Sequence, residues 1–386
     1  MLLPEDNIHM ARALQLAARG LYTTQPNPRV GCVIVKDSKV VGEGWHKRAG
    51  QAHAEVNAIK QAGTDAQGAT AYVTLEPCCH QGRTAPCSQA LIDAGVTRVV
   101  AAMQDPNPEV SGKGLEQLQE AGIETESGLM QAQAEALNLG FIKRMRDGYP
   151  WVCCKLAMSL DGRTAMASGE SKWISGDAAR QQVHRMRARS SAIITGIGTV
   201  LADDPSLNVR LDDAPEGGWV NPVVVVLDPN MSLPADAKLL QQDSRTIVVT
   251  ATVDEEREAE LIAAGAEVIH LPTPQGSIDL PELLIHLGNL EFNEVLLETG
   301  ATLSGSMLSA GLVDEFMIFM APHLMGNGAR GLFNLPGLDT MDQRIDVDIT
   351  DIRRYGNDWG IKGNVVGHES LVVRQETKDQ RPTTND

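Results

Sequence analysis

A histidine, a glutamate and two cysteines near the start of the chain have the spacing of a catalytic zinc site. His53 and Glu55 form an H-A-E triplet, and Cys78 and Cys87 each follow a proline. One imidazole and two thiolates supply three protein ligands, and a catalytic zinc keeps its fourth position for water. Glu55 is left to carry protons. These residues predict hydrolysis of an aminopyrimidine-like ring, with loss of ammonia.

The cysteine-bearing loop differs from the common spacing of zinc deaminases, which is P-C-x-x-C. Gln81 stands where the second cysteine of that pattern would be, so the loop carries an insertion. Because neighbouring cysteines seldom close a good tetrahedron together, we take Cys78 and Cys87 as the ligands and Cys79 as a bystander. The competing interpretations are a purely structural zinc, which would usually have a fourth protein ligand, and cysteines that are simply buried hydrophobes.

The elements around these residues predict an α/β domain. A helix from Asp6, two strands, and then alternating helices and strands give the order αββαβαβα. His53 and Cys87 are each expected at the start of a helix, where the dipole favours a thiolate. A helical segment ends at Gly148 before a proline. We therefore predict a first domain over residues 1–147.

The second domain is predicted over residues 148–373, followed by a frayed tail over 374–386. Its strand-like runs, from WVCCKLAMS to DEFMIFMAP, alternate with helical patterns and indicate another α/β sheet. Two strand-to-helix turns are rich in glycine, one at Gly196 and Gly198 and one at Gly300. Backbone N–H groups in such turns can hold a cofactor phosphate, although ordinary turn glycines are the alternative. Neither turn has the full G-x-G-x-x-G pattern of a Rossmann domain.

Composition narrows the classes of partner. The chain has 386 residues with 33 basic and 50 acidic side chains, a net charge of −17, and only 4% aromatic residues. This balance repels nucleic acid and offers few platforms for base stacking. No apolar run is long enough to span a membrane, and six unevenly placed cysteines favour a reducing compartment. We therefore expect a cytoplasmic protein that binds neither nucleic acid nor membrane.

Longer motifs in the first half resemble a known family. Beside the loop CHQGRTAP stand NPRVGCVIV at 27–35, AGQAHAEVNAI at 49–59 and AMQDPNPEVSGKG at 102–114. Together they are similar to the deaminase half of the bifunctional riboflavin-biosynthesis deaminase/reductases.

The second half resembles the pyrimidine reductase half of the same family. The motifs are KLAMSLDGRTAMASGESKWIS at 155–175, TGIGTVLADDPSLNVR at 195–210 and LLETGATLSGSMLSAGLVDE at 296–315. The resemblance covers nearly the whole chain except the tail. It implies an α/β fold, with a cytidine-deaminase-like α/β/α domain followed by a dihydrofolate-reductase-like α/β domain.

The resemblance also implies the reactions. The first domain would hydrolyse the 2-amino group of the phosphoribosylaminopyrimidine substrate, 2,5-diamino-6-(5-phosphoribosylamino)pyrimidin-4(3H)-one. The second would use NADPH to reduce the ribosyl group, giving 5-amino-6-(5-phosphoribitylamino)uracil. It further suggests a homo-oligomer formed through the reductase domain. The residues alone do not decide between NADPH and NADH.

Individual site residues follow from the matching motifs. Asn27 is expected to contact substrate, and His46, His80 and Arg83 are polar candidates in the same pocket. Lys155, expected at the end of the first reductase strand, would polarise the sugar carbonyl or hold its hydroxyls. The other expected substrate contacts are Ser171, Arg187, Leu207, Arg210 and Glu298. The expected nucleotide contacts are Ala157, Trp173, Thr199, Asp203, Gly300, Ala301, Thr302, Leu303, Ser304, Gly305 and Ser306.

The residue types themselves support two of the expected substrate contacts, because the guanidinium groups of Arg187 and Arg210 suit phosphate oxygens. Solvated surface arginine is the alternative for both. Two other functions remain open from the residues. One is a zinc deaminase of nucleic-acid bases, which the charge disfavours. The other is a regulatory protein with a structural zinc, which would not require Glu55.

Overall fold

The computed structural model describes residues 2–79, 86–215 and 218–366 of the chain. His80, Arg83 and the predicted tail over 374–386 lie outside the described residues. The chain divides into two compact units between Gly148 and Tyr149, and each unit is described by itself. Within the described residues, no helix has the length and apolar character needed to cross a membrane.

The first unit is built on a five-stranded sheet of order β2-β1-β3-β4-β5. Strand β1 is antiparallel to both of its neighbours, and β3, β4 and β5 run parallel to one another. The strands are β1 (Gly31–Lys36), β2 (Lys39–Trp45), β3 (Thr70–Val73), β4 (Arg98–Ala101) and β5 (Glu124–Ser127). The helices are α1 (Asp6–Ala17), α2 (Ala54–Ala62), α3 (Cys87–Asp93), α4 (Lys113–Glu120), α5 (Gln131–Leu137) and α6 (Leu139–Asp147).

Small residues let α2 lie directly on the sheet. A Cβ atom at Gly42 would stand 2.3 Å from the carbonyl oxygen of Ala58, and one at Gly44 would stand 2.2 Å from that of Ala54. Only glycine permits this approach, because these distances are far inside van der Waals contact. The packing fixes the start of α2, where the predicted zinc-site residues lie.

The observed order adds strand β5 to the predicted αββαβαβα, and the helical segment predicted to end at Gly148 forms two helices, α5 and α6. Strand β5 reads Glu-Thr-Glu-Ser and is at most half-buried, so it lacks the apolar alternation by which strands are recognised. Backbone pairing with β4 at the edge of the sheet makes this segment a strand, although its sequence does not predict one. The last helical segment is divided at Asn138, whose buried side chain accepts a hydrogen bond from the backbone N–H of Arg29.

The second unit contains a nine-stranded sheet of order β11-β10-β9-β8-β12-β6-β13-β16-β15. Seven strands are parallel, and a β15–β16 hairpin continues the sheet in antiparallel fashion. The sheet strands are β6 (Trp151–Ser159), β8 (Ala192–Gly196), β9 (Val223–Leu227), β10 (Thr246–Thr250), β11 (Ala266–His270), β12 (Glu294–Leu297), β13 (Glu315–Ala321), β15 (Val347–Tyr355) and β16 (Asp358–Val365). A separate ribbon pairs β7 (Arg163–Ala165) with β14 (Arg330–Gly331).

Helices cover both faces of this sheet. The helices are α7 (Asp177–Arg189), α8 (Ile197–Asp203), α9 (Glu255–Ala263), α10 (Leu280–Asn289) and α11 (Ala301–Ser309). Ile194 of β8 packs in one apolar cluster with Met307 of α11, and Ile193 packs in the opposite cluster with Val200 of α8. Helices α8 and α11 therefore lie on opposite faces, although the strands that precede them are neighbours.

This arrangement creates a crevice at the carboxyl ends of β8 and β12. Strand β8 leads on to β9 in one direction across the sheet, whereas β12 leads on to β13 in the other. Right-handed crossovers then place the two following helices on opposite faces. Ligands of open α/β sheets bind at such a reversal of strand order.

Candidate active sites

The first site lies where α2 and α3 begin. His53 is the N-cap residue of α2, and Cys87 is the first residue of α3 after Pro86. The Nδ1 atom of His53 lies 3.2 Å from Cys87 Sγ and 3.6 Å from Cys78 Sγ. All three ligand atoms lie within 4.8 Å of one another. A tetrahedral zinc holds nitrogen and sulfur ligands about 3.5 to 3.8 Å apart, and the two nitrogen–sulfur distances are within about 0.3 Å of that range, so these residues fit the metal.

Glu55 stands in the first turn of α2 and is only 3% exposed. Its Oε2 atom is buried and has no hydrogen-bond partner among the described residues. Burial, reinforced by the neighbouring Cys78 sulfur, raises the pKa of Glu55 to about 7. An unpartnered carboxyl group with that pKa beside three metal ligands suits a carrier of protons near neutral pH.

The two ligand cysteines shift each other's pKa in opposite directions. The hydrogen bond from Cys87 lowers the pKa of Cys78 to about 4, against the effect of burial. The same hydrogen bond, together with burial, raises the pKa of Cys87. Both thiols give up their protons when they bind zinc as thiolates.

Asn27 lies near the ligand His53, because its side chain contacts His46, which packs against His53. Its Nδ2 atom lies 3.1 Å from His46 Nε2, and the His46 Nδ1 atom lies 3.2 Å from the carbonyl oxygen of Ala52. Burial lowers the pKa of His46, so we assign the neutral ring with Nδ1 as donor and Nε2 as acceptor. The rings of His46 and His53 meet edge to face, with centroids 5.2 Å apart.

The second site opens at the glycine-rich turns of the second unit. Gly196 ends β8, and Gly300 is the N-cap residue of α11. A Cβ atom placed on Gly198 or Gly300 would meet nothing within 4 Å, so open space lies beside both backbones. A helix N-terminus that faces such a space presents unpaired N–H groups to an anion. The turns therefore fit the phosphate groups of a dinucleotide.

The predicted nucleotide segment from Gly300 to Ser306 does not face this space along its whole length. Ser304 is fully buried, and its Oγ atom accepts a weak hydrogen bond from the Cys154 thiol at 3.7 Å. A Cβ atom on Gly305 would lie 2.0 Å from the carbonyl oxygen of Asn334. The first turn of α11 is thus the part with open space beside it, and the structure does not bring Ser304 or Gly305 to the crevice.

Glu298 directly follows β12 and is the centre of an ion-pair cluster. Its Oε1 atom accepts from Arg187 Nε at 2.6 Å, its Oε2 atom accepts from Arg187 Nη2 at 3.0 Å, and Lys155 Nζ stands 3.8 Å away. Burial by itself would raise the pKa of Glu298, but Arg187 and Lys155 outweigh that effect and hold it at about 2. Glu298 is a fixed anion.

Lys155 lies in the middle of β6 and not at the strand end expected from the sequence. Strand β6 continues to Ser159, which pairs with Ala321 of β13. Because alternate residues of a strand share a face, Lys155 and Ala157 project to the same side of the sheet. The predicted cofactor contact and the predicted substrate contact are therefore neighbours on one face.

Arg187 and Arg210 both bond to Asn208. Arg187 Nη1 donates to the Asn208 carbonyl oxygen at 3.1 Å, and Arg210 Nη1 donates to Asn208 Oδ1 at 2.8 Å. The backbone N–H of Arg210 donates to His184 Nδ1 at 3.2 Å. Burial, followed by the two arginines, lowers the pKa of His184 to about 4. Sequence reasoning missed His184, although it stands three residues before Arg187 on the same helix face.

The other predicted residues lie along the loop before α7 and around α8. Lys172 Nζ pairs with Asp203 Oδ1 at 2.9 Å, which ties the loop that holds Ser171 to the end of α8. Trp173 is 71% exposed. The guanidinium carbon of Arg180 lies over the Trp173 ring, 4.6 Å from the ring centroid. Thr199 lies within α8, and Leu207 is buried four residues beyond its end.

Known families match both units. Residues 4–103 match the family described as cytidine and deoxycytidylate deaminase zinc-binding region, and residues 150–361 match the RibD C-terminal domain. Together with the two sites, these matches define a zinc-binding deaminase joined to a reductase.

Relatives match along nearly the whole chain. The riboflavin biosynthesis protein RibD of Haemophilus influenzae is 51% identical over 362 residues, which cover 92% of this chain and 96% of that protein. The structure of Acinetobacter baumannii RibD has a TM-score of 0.88 at 46% identity and covers 94% of this chain and 99% of that one. The chain belongs to the RibD family of bifunctional deaminase/reductases of riboflavin biosynthesis.

A third relative comes from Thermotoga maritima. Its structure has a TM-score of 0.80 at 32% identity and covers 93% of this chain and 98% of that one. It is described as a diaminohydroxyphosphoribosylaminopyrimidine deaminase and 5-amino-6-(5-phosphoribosylamino)uracil reductase. The comparisons confirm the predicted family, the fold class, the two enzyme activities, and zinc and NADPH as cofactors.

Proposed function

We propose that residues 1–147 deaminate 2,5-diamino-6-(5-phosphoribosylamino)pyrimidin-4(3H)-one at its 2-amino group. Residues 148–373 then reduce the ribosyl group of the product with NADPH, giving 5-amino-6-(5-phosphoribitylamino)uracil. The names of the two activities of the Thermotoga relative support this order. The observation that carries the deaminase assignment is the set of three ligand atoms within 4.8 Å, beside the unpartnered Oε2 of Glu55.

In the first step, His53, Cys78 and Cys87 would hold zinc. Bound zinc supplies the Lewis acid that makes water nucleophilic near neutral pH. Glu55, whose pKa lies near 7, would take a proton from the attacking water and give it to the leaving amine, and the second proton of the water would pass to the ring nitrogen. Asn27 positions the pyrimidine, and His46 orients the amide of Asn27.

In the second step, the ion-pair cluster binds the phosphorylated sugar. Arg210, which bonds to Asn208 as Arg187 does, adds a third cation beside the Lys155 and Arg187 of the cluster. Glu298 is the anion of the cluster, so the three cations exceed it by two positive charges. A phosphate monoester carries about −1.5 to −2 near pH 7, which matches this excess. Lys155 and Glu298 would then meet the sugar hydroxyls, with Ser171 and Leu207 as further contacts.

The crevice between α8 and α11 would hold the cofactor. Hydride transfer needs positioning from the protein, because the nicotinamide carries the chemistry. The first turn of α11 from Gly300 would hold phosphate, and Thr199 and Asp203 would line the α8 side. The exposed Trp173 and the strand residue Ala157 complete the proposed contacts.

We also propose that the chain forms a homo-oligomer through the second unit. Strand β15 is the last strand of the nine-stranded sheet, and Val347, Ile349 and Ile352 on it are 44%, 56% and 55% exposed. An exposed apolar edge strand is prone to pair with another chain. Light scattering on the purified chain tests this proposal, and a monomeric mass at micromolar concentration would contradict it.

Cytoplasmic location and independence from nucleic acid are further proposals. None of the six cysteines, all within the described part of the chain, forms a disulfide, which suits a reducing compartment. The net charge of −17 disfavours a polyanionic partner. Retardation of single-stranded RNA by the protein at low salt would contradict the second point.

Mass spectrometry of the product tests the proposed reactions. Zinc-loaded protein is incubated with the diaminopyrimidinone substrate, once without and once with NADPH. We expect exchange of an amine for a carbonyl in both samples and a gain of two hydrogens only with NADPH. Unchanged substrate in both samples would overturn the proposed reactions.

A further inference from the structure

Glu76 lies two residues before the ligand Cys78 and is only 2% exposed. Its carboxylate accepts four backbone hydrogen bonds. Oε2 accepts from the N–H groups of Asp105 at 3.1 Å and Gly112 at 2.9 Å. Oε1 accepts from those of Gly114 at 2.9 Å and Leu115 at 3.2 Å. Four bonds occupy the acceptor capacity of a carboxylate, so this group is committed to the backbone.

Three of these N–H groups belong to the start of α4, where a helix leaves its amides unpaired. Gly112 is the N-cap residue of α4 and has a φ of +90°, a conformation that favours glycine. A carboxylate at this position also compensates the positive end of the helix dipole. Glu76 donates its own N–H to the Met103 carbonyl oxygen at 2.9 Å. The residue therefore joins the segments after β3 and β4 to the start of α4.

Helix α4 presses directly on the peptide that precedes Cys78. A Cβ atom on Gly114 would lie only 2.0 Å from the carbonyl oxygen of Pro77. Glycine is therefore required there, and the helix start lies in backbone contact with the ligand-bearing segment. A shift of α4 would move Pro77, and Cys78 with it.

The same helix reaches the second ligand cysteine. The Oε1 atom of Gln117 on α4 lies 2.7 Å from the hydroxyl of Ser88, the residue after Cys87. That hydroxyl lies 3.0 Å from the Cys78 carbonyl oxygen, which also accepts the Ser88 N–H at 3.2 Å. The Cys87 N–H in turn donates to Cys78 Sγ at 3.4 Å. Hydrogen bonds through Ser88, together with the contact at Pro77, thus connect both ligand cysteines to α4.

We propose that Glu76 is a positioning residue of the zinc site. By holding α4 against Pro77, it fixes the separation of the two ligand sulfurs before the metal binds. The proposal rests on the ligand set proposed above. Residues that orient metal ligands without touching the metal commonly raise affinity by about 10-fold to about 100-fold. Loss of the Glu76 carboxylate should therefore weaken zinc binding even where the fold survives.

The test measures zinc affinity of the full-length chain by competition with a chromophoric chelator. Glu76→Gln keeps the side-chain size but turns an NH2 group toward backbone N–H donors. We expect the dissociation constant for zinc to rise by about 10-fold to about 100-fold. We also expect the visible absorption bands of the Co²⁺-substituted protein to shift, because the sulfur ligands would take a different geometry.

Asp6→Asn is the matched control. Asp6 is a fully buried carboxylate of the same unit, and it bonds to Arg98 and to the Tyr72 hydroxyl. Arg98 begins β4, whereas the zinc-site segment follows the carboxyl end of β3, so Asp6 lies toward the opposite strand ends. This variant should lower the melting temperature and leave zinc affinity and the Co²⁺ spectrum unchanged.

Ser88→Ala provides a second variant should Glu76→Gln fail to fold. It removes the hydroxyl that contacts Gln117 of α4 and the Cys78 carbonyl oxygen. The zinc dissociation constant should rise by roughly 3-fold to 10-fold. Wild-type affinity and an unchanged Co²⁺ spectrum in either folded variant would overturn the proposal. Failure of the ligand assignment looks different, since the wild type would then bind no zinc or Cys87→Ser would bind it as well as the wild type.

Discussion

The two units each bury one glutamate at the centre of their site, and the two glutamates behave in opposite ways. Glu55 and Glu298 are 3% and 8% exposed. Glu55 leaves one oxygen without a partner among the described residues, and its pKa rises to about 7, whereas Glu298 is paired with Arg187 and Lys155 and its pKa falls to about 2. Burial is nearly equal, so the neighbours decide the protonation state.

The difference corresponds to the chemistry of each unit. A hydrolytic deamination moves protons at the reacting atoms, and a carboxyl group that exchanges its proton near neutral pH serves that purpose. A hydride transfer takes its reactivity from the cofactor and needs a constant field around the substrate. Glu298, held as an anion between two cations, supplies such a field.

Removal of zinc should separate the two activities most completely. Dialysis against a strong chelator should abolish ammonia release, because the metal is what makes water nucleophilic in the first site. Reduction of the already deaminated substrate should continue, since His53, Cys78 and Cys87 all belong to the first unit. Ammonia release and NADPH absorbance are followed in parallel, and zinc is added back as the control. Loss of both activities would show that the two sites depend on each other.

Glu55→Gln should reduce ammonia release by about 10³-fold or more, because it removes the proton carrier but keeps the shape of the pocket. Zinc content, measured by metal analysis, should stay at the wild-type level. Glu43→Gln is the matched control, since Glu43 lies on β2 of the same unit but pairs with Arg12. Ammonia release that survives Glu55→Gln would remove the acid/base assignment.

Glu298→Gln should slow reduction by about 100-fold, because Arg187 and Lys155 lose the anion that positions them. Deamination should be unaffected. The effect is measured as the rate of NADPH oxidation with deaminated substrate.

Glu294→Gln is a close control for this variant. Glu294 is also 8% exposed in its side chain and is also paired with an arginine, Arg189, but it begins β12, whereas Glu298 follows that strand. It should lower stability without slowing reduction. Equal slowing by both variants would mean that Glu298 acts through stability alone.

Much of this comparison could be predicted from local sequence. His53, Glu55, Cys78 and Cys87 are recognisable because a metal site needs particular residue types, and because helix starts are visible in the flanking residues. The start of α11 at Gly300 is predictable on the same grounds. Such features depend on short stretches of chain.

Features that depend on distant partners were missed. Strand β5 lacks apolar alternation, and a β-bulge between Ile349 and Asp351 interrupts the alternation of β15. The pairing of these strands with their neighbours is what reveals them. Glu76 draws its role from amides some thirty to forty residues away. His184 gave no signal of its own either, because its partner Arg210 lies on a loop whose position only the fold determines.

His184 leads to the smallest expected effect, a change in how stability depends on pH. Its pKa is about 4 in the folded chain, against 6.5 for an unperturbed histidine, so the unfolded chain binds more protons between these values. The stability of the second unit should therefore fall as the pH decreases from about 6.5 to about 4. His184→Asn should remove about 1 to 2 kcal/mol of that fall, after allowance for the partial exposure of the ring. The measurement is the free energy of unfolding of the second unit at several pH values, and parallel curves for the variant and wild type would contradict the assignment.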